Sequence, residues 1–405
     1  MRFEAVDVLA VGTEVSVPGP AAAAAANWRT ALSAALFAFV LSRVLVLVTA
    51  VVAVAIAQQW GGPGSEQQQV RLFTPATVDA LHNQVLANDA NWYLSIVQGG
   101  YEQRAFDTSR QANWAFFPLH PYAWRAVTWT GLDPAWAGVL LANLLFLLAL
   151  VQAHRWVQLV RDEATATRAV LCVALFPTAY FFSLPWTESL FLLLSASSLL
   201  AMEQRRWGQS TLFNALASAT RPIGVFLAAL MWWQARGERR LPVLRFWWLA
   251  ALGCAGVAAF MGLLWVKTGN PLAFTDIQAT WGRDGGSLTK HLRRWLLDPM
   301  LLTEAWNVRW INNSALLLGI AGSVWLWRAK LRGLAVFSFL CLLLPWSTGT
   351  LMSMGRYVVS CLPLFLAFAC WLERPRWWTA WLVASTCLLV GMTACFALGA
   401  NFAGA

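Results

Sequence analysis

Apolar runs of about membrane-spanning length recur along the whole chain, at 31–57, 135–153, 168–184, 187–202, 243–266, 311–327, 333–347, 357–372 and 377–398. A membrane helix uses about 20 such residues, so the pattern predicts nine full spans. Short basic clusters punctuate them: Arg155, Arg161 and Arg168; Arg205 and Arg206; Arg239, Arg240 and Arg245; Arg328, Lys330 and Arg332; Arg374 and Arg376. Lysine and arginine collect in cytoplasmic loops. Placing all five clusters there gives a consistent alternation, with the N-terminus inside.

One segment breaks the alternation. Residues 209–235 are apolar and long enough to span, yet basic clusters flank both ends. Their middle holds Arg221, Pro222 and Gly224, a combination that interrupts a helix. Irregular backbone at membrane depth survives only where it lines a protein cavity. The segment is therefore expected to form two half-helices, 209–220 and 222–235, rising from the cytoplasm and returning with Arg221 at the apex. The expected fold is an all-α polytopic bundle of about nine full spans plus this hairpin, about eleven membrane helices in all. Residues 1–30 form a cytoplasmic tail, and 31–405 one transmembrane domain whose first apolar run is expected to stay in place as a span.

On this topology the polar loop 58–134 faces outward, with Leu184–Glu188, the stretch from Lys267 to about Trp310, and Trp346–Gly355. The loop is too long for a plain connection. Its pieces Val78–Val97 and Phe116–Thr130 have amphipathic helical periodicity, as interfacial helices do.

Composition agrees with a membrane class. Of 405 residues, 59% are hydrophobic and 12% charged, against about 25% charged in soluble domains. The net charge of +10 resides mostly in the inter-span clusters rather than in a nucleic-acid surface. Seven cysteines lie inside apolar runs without CxxC, and the four histidines form no HxxxH or HExxH pair. No metal or cofactor is expected, nor a nucleotide-sugar donor, since no glycine-rich nucleotide loop or DxD pair occurs.

Three constellations could carry chemistry. The first runs from Asn88, Asp89 and Trp92 through Tyr101 and Phe116 to His120. A carboxylate just outside a span, desolvated by aromatics, can serve as a general base, and aromatic faces suit a sugar ring. The plainer reading is a solvated loop acid among interfacial aromatics. The second is Glu188, Arg221 and Arg356, ionisable groups at or near membrane depth, which are functional hypotheses by default. Two arginines suit a lipid-linked phosphate, whereas a structural Glu–Arg network would also explain them. Arg43, midway along the first span, carries the same ambiguity. The third comprises Gly269-Asn270-Pro271, Gln278, Trp281 and Arg283, which by itself reads as a turn.

Together these motifs resemble the PIG-V family, the GPI mannosyltransferase II type, and especially its bacterial relatives. The family pattern W-D-A, L-x-I, G-Y, F-F-P is matched by Asp89-Ala90, Leu94-Ser95-Ile96, Gly100-Tyr101 and Phe116-Phe117-Pro118, with Asn88 in place of the tryptophan. Phe176-Pro177, Glu188 to Phe191, Arg221, Gly224, Arg356-Tyr357 and the block from Gly269 to Arg283 extend the resemblance over about 30–372. It implies a multi-span glycosyltransferase of the GT-C type in a bacterial plasma membrane. The implied reaction moves mannose or a similar hexose from a polyprenyl-phosphate donor to a glycan, lipid or protein acceptor, on the extracytoplasmic side and with inversion. It further implies Asp89 as the base, in preference to Asp79, and Arg221, Arg356, Glu188, Tyr101, His120, Trp92 and Arg283 as donor phosphate- or sugar-binding residues. A lipid-linked sugar transporter and a non-catalytic family member are the alternatives. The first would be expected to show internal repeats, and none is evident.

Overall fold

The computed structural model describes residues 28–60, 71–236, 243–283, 309–348 and 351–400. Arg239, Arg240 and His291 lie outside them. All regular structure among the described residues is helical. In chain order the helices are α1 (Trp28–Trp60), α2 (Pro75–Val85), α3 (Asp89–Gly99), α4 (Leu119–Thr128), α5 (Pro134–Val160), α6 (Glu163–Ala174), α7 (Glu188–Glu203), α8 (Trp207–Ser218), α9 (Val225–Ala235), α10 (Val243–Gly253), α11 (Ala255–Thr268), α12 (Ala273–Asp276), α13 (Arg309–Arg328), α14 (Arg332–Ser347), α15 (Met354–Ser360), α16 (Leu362–Trp371) and α17 (Pro375–Ala397).

The chain is an integral membrane protein. Among the described residues α1, α5 and α17 are each long and apolar enough to cross a bilayer, and the bent pairs α10–α11 and α15–α16 raise the number to five. On α5, Leu140, Leu144 and Leu148 are exposed at four-residue spacing, one apolar face of a helix turned to its surroundings as lipid solvation requires. By contrast α7 is apolar nearly all round and buried along its length, as expected of a helix at the centre of a bundle. It packs against α5 on one side and α8 on another.

Several expected spans are broken. The run 168–184 is not one helix: α6 stops at Ala174, and a 3-10 turn follows at Ala179–Ser183. Pro177 removes a backbone donor there, which hydropathy alone does not register. The run 357–372 is bent by 78° between α15 and α16, where Pro363 restricts the residue before it. The run 243–266 bends by 47° at Cys254. In the long loop, the expected helix 78–97 is divided at Leu86–Asn88 into α2 and α3.

The 209–235 segment does fold into an antiparallel hairpin. Thr211 and Asn214 of α8 both reach Met231 of α9, while Gly224 lies against Ala217. Pro222 holds Arg221 in extended backbone, φ −152° and ψ 148°, which ends the first half-helix. A Cβ at Gly224 would stand 2.4 Å from the Ala217 carbonyl carbon and oxygen. Only glycine permits this approach. The Leu119 amide donates to the Ala219 carbonyl across 3.1 Å, joining the hairpin apex to the start of α4 in the long loop.

Candidate active site

Four charged side chains meet where α3, α7, α15 and the hairpin apex converge. Asp89 is the first residue of α3 and Glu188 the first of α7, so each carboxylate sits at a positive helix end. Arg356 lies in the first turn of α15. Its Nη1 donates to Asp89 Oδ2 at 2.5 Å and its Nε to Glu188 Oε1 at 2.6 Å. The same Glu188 oxygen accepts from Arg221 Nη2 at 2.8 Å. Arg221 Nη1 donates to Ser360 Oγ at 3.0 Å, and Ser360 in turn donates to the Arg356 carbonyl. The result is an unbroken series Asp89–Arg356–Glu188–Arg221 of alternating charge.

Burial makes this series consequential. Glu188 is fully buried, and the side chains of Arg356 and Arg221 are 5% and 9% exposed, whereas Asp89 reaches the surface at 19%. Buried ion pairs are viable only when several hydrogen bonds offset desolvation. Here aromatic faces contribute as well. The Arg356 guanidinium lies 4.3 Å over Trp186, and that of Arg221 5.2 Å over Tyr357.

Backbone strain lies beside Asp89 and beside Arg356. Asn88 has φ 57° and ψ −129°, the first central position of a II′ turn, closed by the Ala90 amide on the Ala87 carbonyl. Asparagine, which stands here where the family pattern has Trp, tolerates positive φ better than bulky residues do. Leu351 and Ser353, just before α15, also have positive φ. Such conformations persist where the surroundings over-determine them, commonly at functional sites.

A cavity of about 370 Å³ opens onto Asp89, Arg221 and Arg356. Its lining combines the aromatics Tyr93, Phe116, Phe117, Phe274, Trp281 and Tyr357 with the polar side chains of Thr275, Gln278, Arg283, Ser347 and Thr348. Of the eight residues to which the resemblance gives a role, Asp89, Arg221, Arg356 and Arg283 line it, and Glu188 is bonded to both Arg221 and Arg356. The other three do not line it. Trp92 stacks on Phe116 and meets Trp281 edge-on, with centroids at 5.9 and 5.7 Å. Tyr101 donates its hydroxyl to the Phe116 carbonyl at 2.6 Å. His120 is buried edge-on to Tyr93 at 5.4 Å, and burial pushes its pKa down to about 4, so the ring is neutral near pH 7. All three support the aromatic wall from behind.

Asp79 is exposed on α2 and lines no part of the cavity. Arg43 donates to Ser183 Oγ at 2.8 Å and to the Ala179 carbonyl at 3.1 Å, tying α1 to the 3-10 turn. The sequence reading missed Tyr93. It follows Asp89 by four residues, one helical turn, and so shares its face. Burial first, then the Asp89 and Glu188 carboxylates, raise its hydroxyl above the usual phenol range, leaving it a neutral donor beside them. Among the described residues no group of three or more metal-ligating side chains occurs.

A family profile described as mannosyltransferase (PIG-V) matches residues 32–237, about half of the chain. No curated protein matches the sequence. Solved structures of the Archaeoglobus fulgidus oligosaccharyltransferase align with the fold. The apo form does so with TM-score 0.44 and 12% identity, over 90% of this chain and 56% of that one. A complex with zinc and sulfate gives 0.44 and 13%, over 89% and 53%. A complex with an inhibitory peptide and a dolichol-phosphate gives 0.43 and 12%, over 90% and 56%. The present chain thus spans little more than half the length of that protein.

Proposed function

The chain belongs to the mannosyltransferase family of the PIG-V type, and from that membership we propose that it moves mannose, or a similar hexose, from a polyprenyl-phosphate-sugar donor to an acceptor hydroxyl. The reaction is a single displacement with inversion on the extracytoplasmic face of a bacterial plasma membrane, within a GT-C-type bundle of about nine spans, some of them broken, plus the hairpin. The observation that carries this reading is one carboxylate, Asp89, facing an aromatic-walled cavity while Arg356, which lines the same cavity, is hydrogen-bonded to it.

In this mechanism Asp89 accepts the acceptor's proton as the hydroxyl oxygen attacks the anomeric carbon. The new C–O bond forms while the bond to phosphate oxygen breaks, and the electron pair leaves with the polyprenyl phosphate. Arg356, hydrogen-bonded to Asp89, keeps that carboxylate aimed. Glu188, fixed by Arg221, prevents Arg356 from turning away. Tyr93, Phe116 and Trp281 offer faces and one hydroxyl to the sugar, with Trp92, Tyr101 and His120 setting their positions.

The test is to incubate membranes containing the protein with polyprenyl-phosphate-[³H]mannose and identify the product. A mannosylated glycan, lipid or protein that is absent from control membranes supports the reading. Uptake of the intact lipid-linked sugar without a new glycosidic bond would favour the transporter, and binding without either outcome the non-catalytic member.

A further inference from the structure

The charged series rests on the 3-10 turn at Ala179–Ser183, which meets it at three points. Thr178, the residue before the turn, donates its hydroxyl to the Gly355 carbonyl at 3.2 Å, next to Arg356. Phe181 lies 5.4 Å from the Arg356 guanidinium and stacks at 4.9 Å on Trp186, the other ring against that cation. The Phe182 carbonyl accepts from Ser189 Oγ at 3.1 Å, beside Glu188. A shift of this turn would therefore move Arg356 and, through it, Asp89.

One side chain from outside the site grips both ends of the turn. Arg43, midway along α1, donates from Nη1 to Ser183 Oγ and from Nη2 to the Ala179 carbonyl. Its guanidinium also lies 4.7 Å over Phe146, which stacks at 4.3 Å on Phe182 of the same turn. Arg43 is buried and makes no ion pair among the described residues, on an apolar span whose Val40, Val44 and Val48 are exposed. An uncompensated charge at such depth is costly. A neutral serine or asparagine would fasten two helices without that cost. What arginine adds is a planar fork whose two ends hold partners four residues apart.

We infer that Arg43 is a positioning residue of the transfer reaction, an assignment that rests on the glycosyltransferase reading. It clamps the 3-10 turn so that Phe181 and Trp186 keep Arg356 where its Nη1 meets Asp89. Arg43 does not line the cavity, so it touches neither donor nor acceptor. Its loss acts on the chemical step rather than on donor binding.

The experiment measures kcat and donor KM for [³H]mannose transfer by the full chain in detergent, per unit of folded protein. Arg43→Gln should lower kcat about 10- to 100-fold, as small displacements of reacting groups do, with donor KM within about threefold of wild type. Ser183→Ala releases one arm of the fork, leaves the charge in place, and should lower kcat about 2- to 10-fold. The deciding comparison is a double-mutant cycle with Arg356. Once Arg356→Gln has removed the guanidinium that the turn supports, adding Arg43→Gln should cost less than about twofold, whereas a purely structural role would cost the same factor in both backgrounds. Equal losses in the two backgrounds, wild-type kcat in Arg43→Gln, or a raised donor KM with unchanged kcat overturns the assignment while the functional reading stands. Should Arg43→Gln fail to fold, Ser183→Ala takes its place in the cycle under the same criteria. No transfer by the unaltered protein overturns both.

Discussion

Glu188→Gln isolates what holds the charged series together. The substitution keeps shape and an acceptor oxygen but removes the charge that two guanidinium groups share at 2.6 and 2.8 Å. A hydrogen bond to a charged group contributes about 1.5–3 kcal/mol and a neutral one about 0.5–1.5. Two weakened bonds therefore cost roughly 2–3 kcal/mol, and Arg221, left with neutral hydrogen-bond partners only, adds the penalty of an uncompensated buried charge. The total should approach the ~3–5 kcal/mol typical of a broken buried pair. Arg356 is affected less, because Asp89 still engages it. Adding Arg221→Gln restores neutrality, so Glu188→Gln with Arg221→Gln should be more stable than Glu188→Gln alone. The assay is denaturant unfolding of the detergent-solubilised protein across a double-mutant cycle, with an expected coupling of about 0.5–3 kcal/mol. Additive effects, or no loss from Glu188→Gln, would refute the shared-carboxylate account.

Three further outcomes follow from the geometry. His120 titrates near 4 when folded and near 6.5 unfolded. The unfolded chain therefore binds more protons between those values, and stability should fall by about 3 kcal/mol as pH drops from about 6.5 to about 4; His120→Phe should flatten that window in thermal melts, and an unchanged slope would contradict it. Gly224→Ala places a Cβ 2.4 Å from Ala217 backbone and should cost about 1–3 kcal/mol as an overpacked site, with wild-type stability counting against the tight hairpin. Single cysteines at 205 and 239 should both react with impermeant thiol reagent from the cytoplasm; labelling of 239 from outside would make residues 209–235 a full crossing.

The sequence exposed those features that depend on local chemistry. The charge, proline and glycine of 221–224 announced the hairpin because each disrupts a helix for its own reason. The spacing of Asp89 to Gly100-Tyr101 and Phe116-Phe117-Pro118 gathered residues of one site, with Asp89, Phe116 and Phe117 lining its cavity and Tyr101 bonded to Phe116 behind it. Rotational phase was the harder matter. Trp92 and Tyr93 are equally aromatic, and only the turn at Asn88 determines that Tyr93 faces inward with Asp89 while Trp92 buttresses Phe116. Hydropathy likewise could not separate a helix from the 3-10 turn at 179–183, since apolar side chains suit both. The pairing of Glu188 with both arginines depends on three distant segments meeting, which no local pattern encodes.

The central claim is that Asp89 takes the acceptor's proton. Positioned general bases contribute about 10²- to 10⁴-fold. In membranes expressing equal amounts of folded protein, Asp89→Asn should lower transfer of [³H]mannose from the polyprenyl-phosphate donor by at least about 100-fold while donor binding persists. Transfer within a few-fold of wild type would contradict the account.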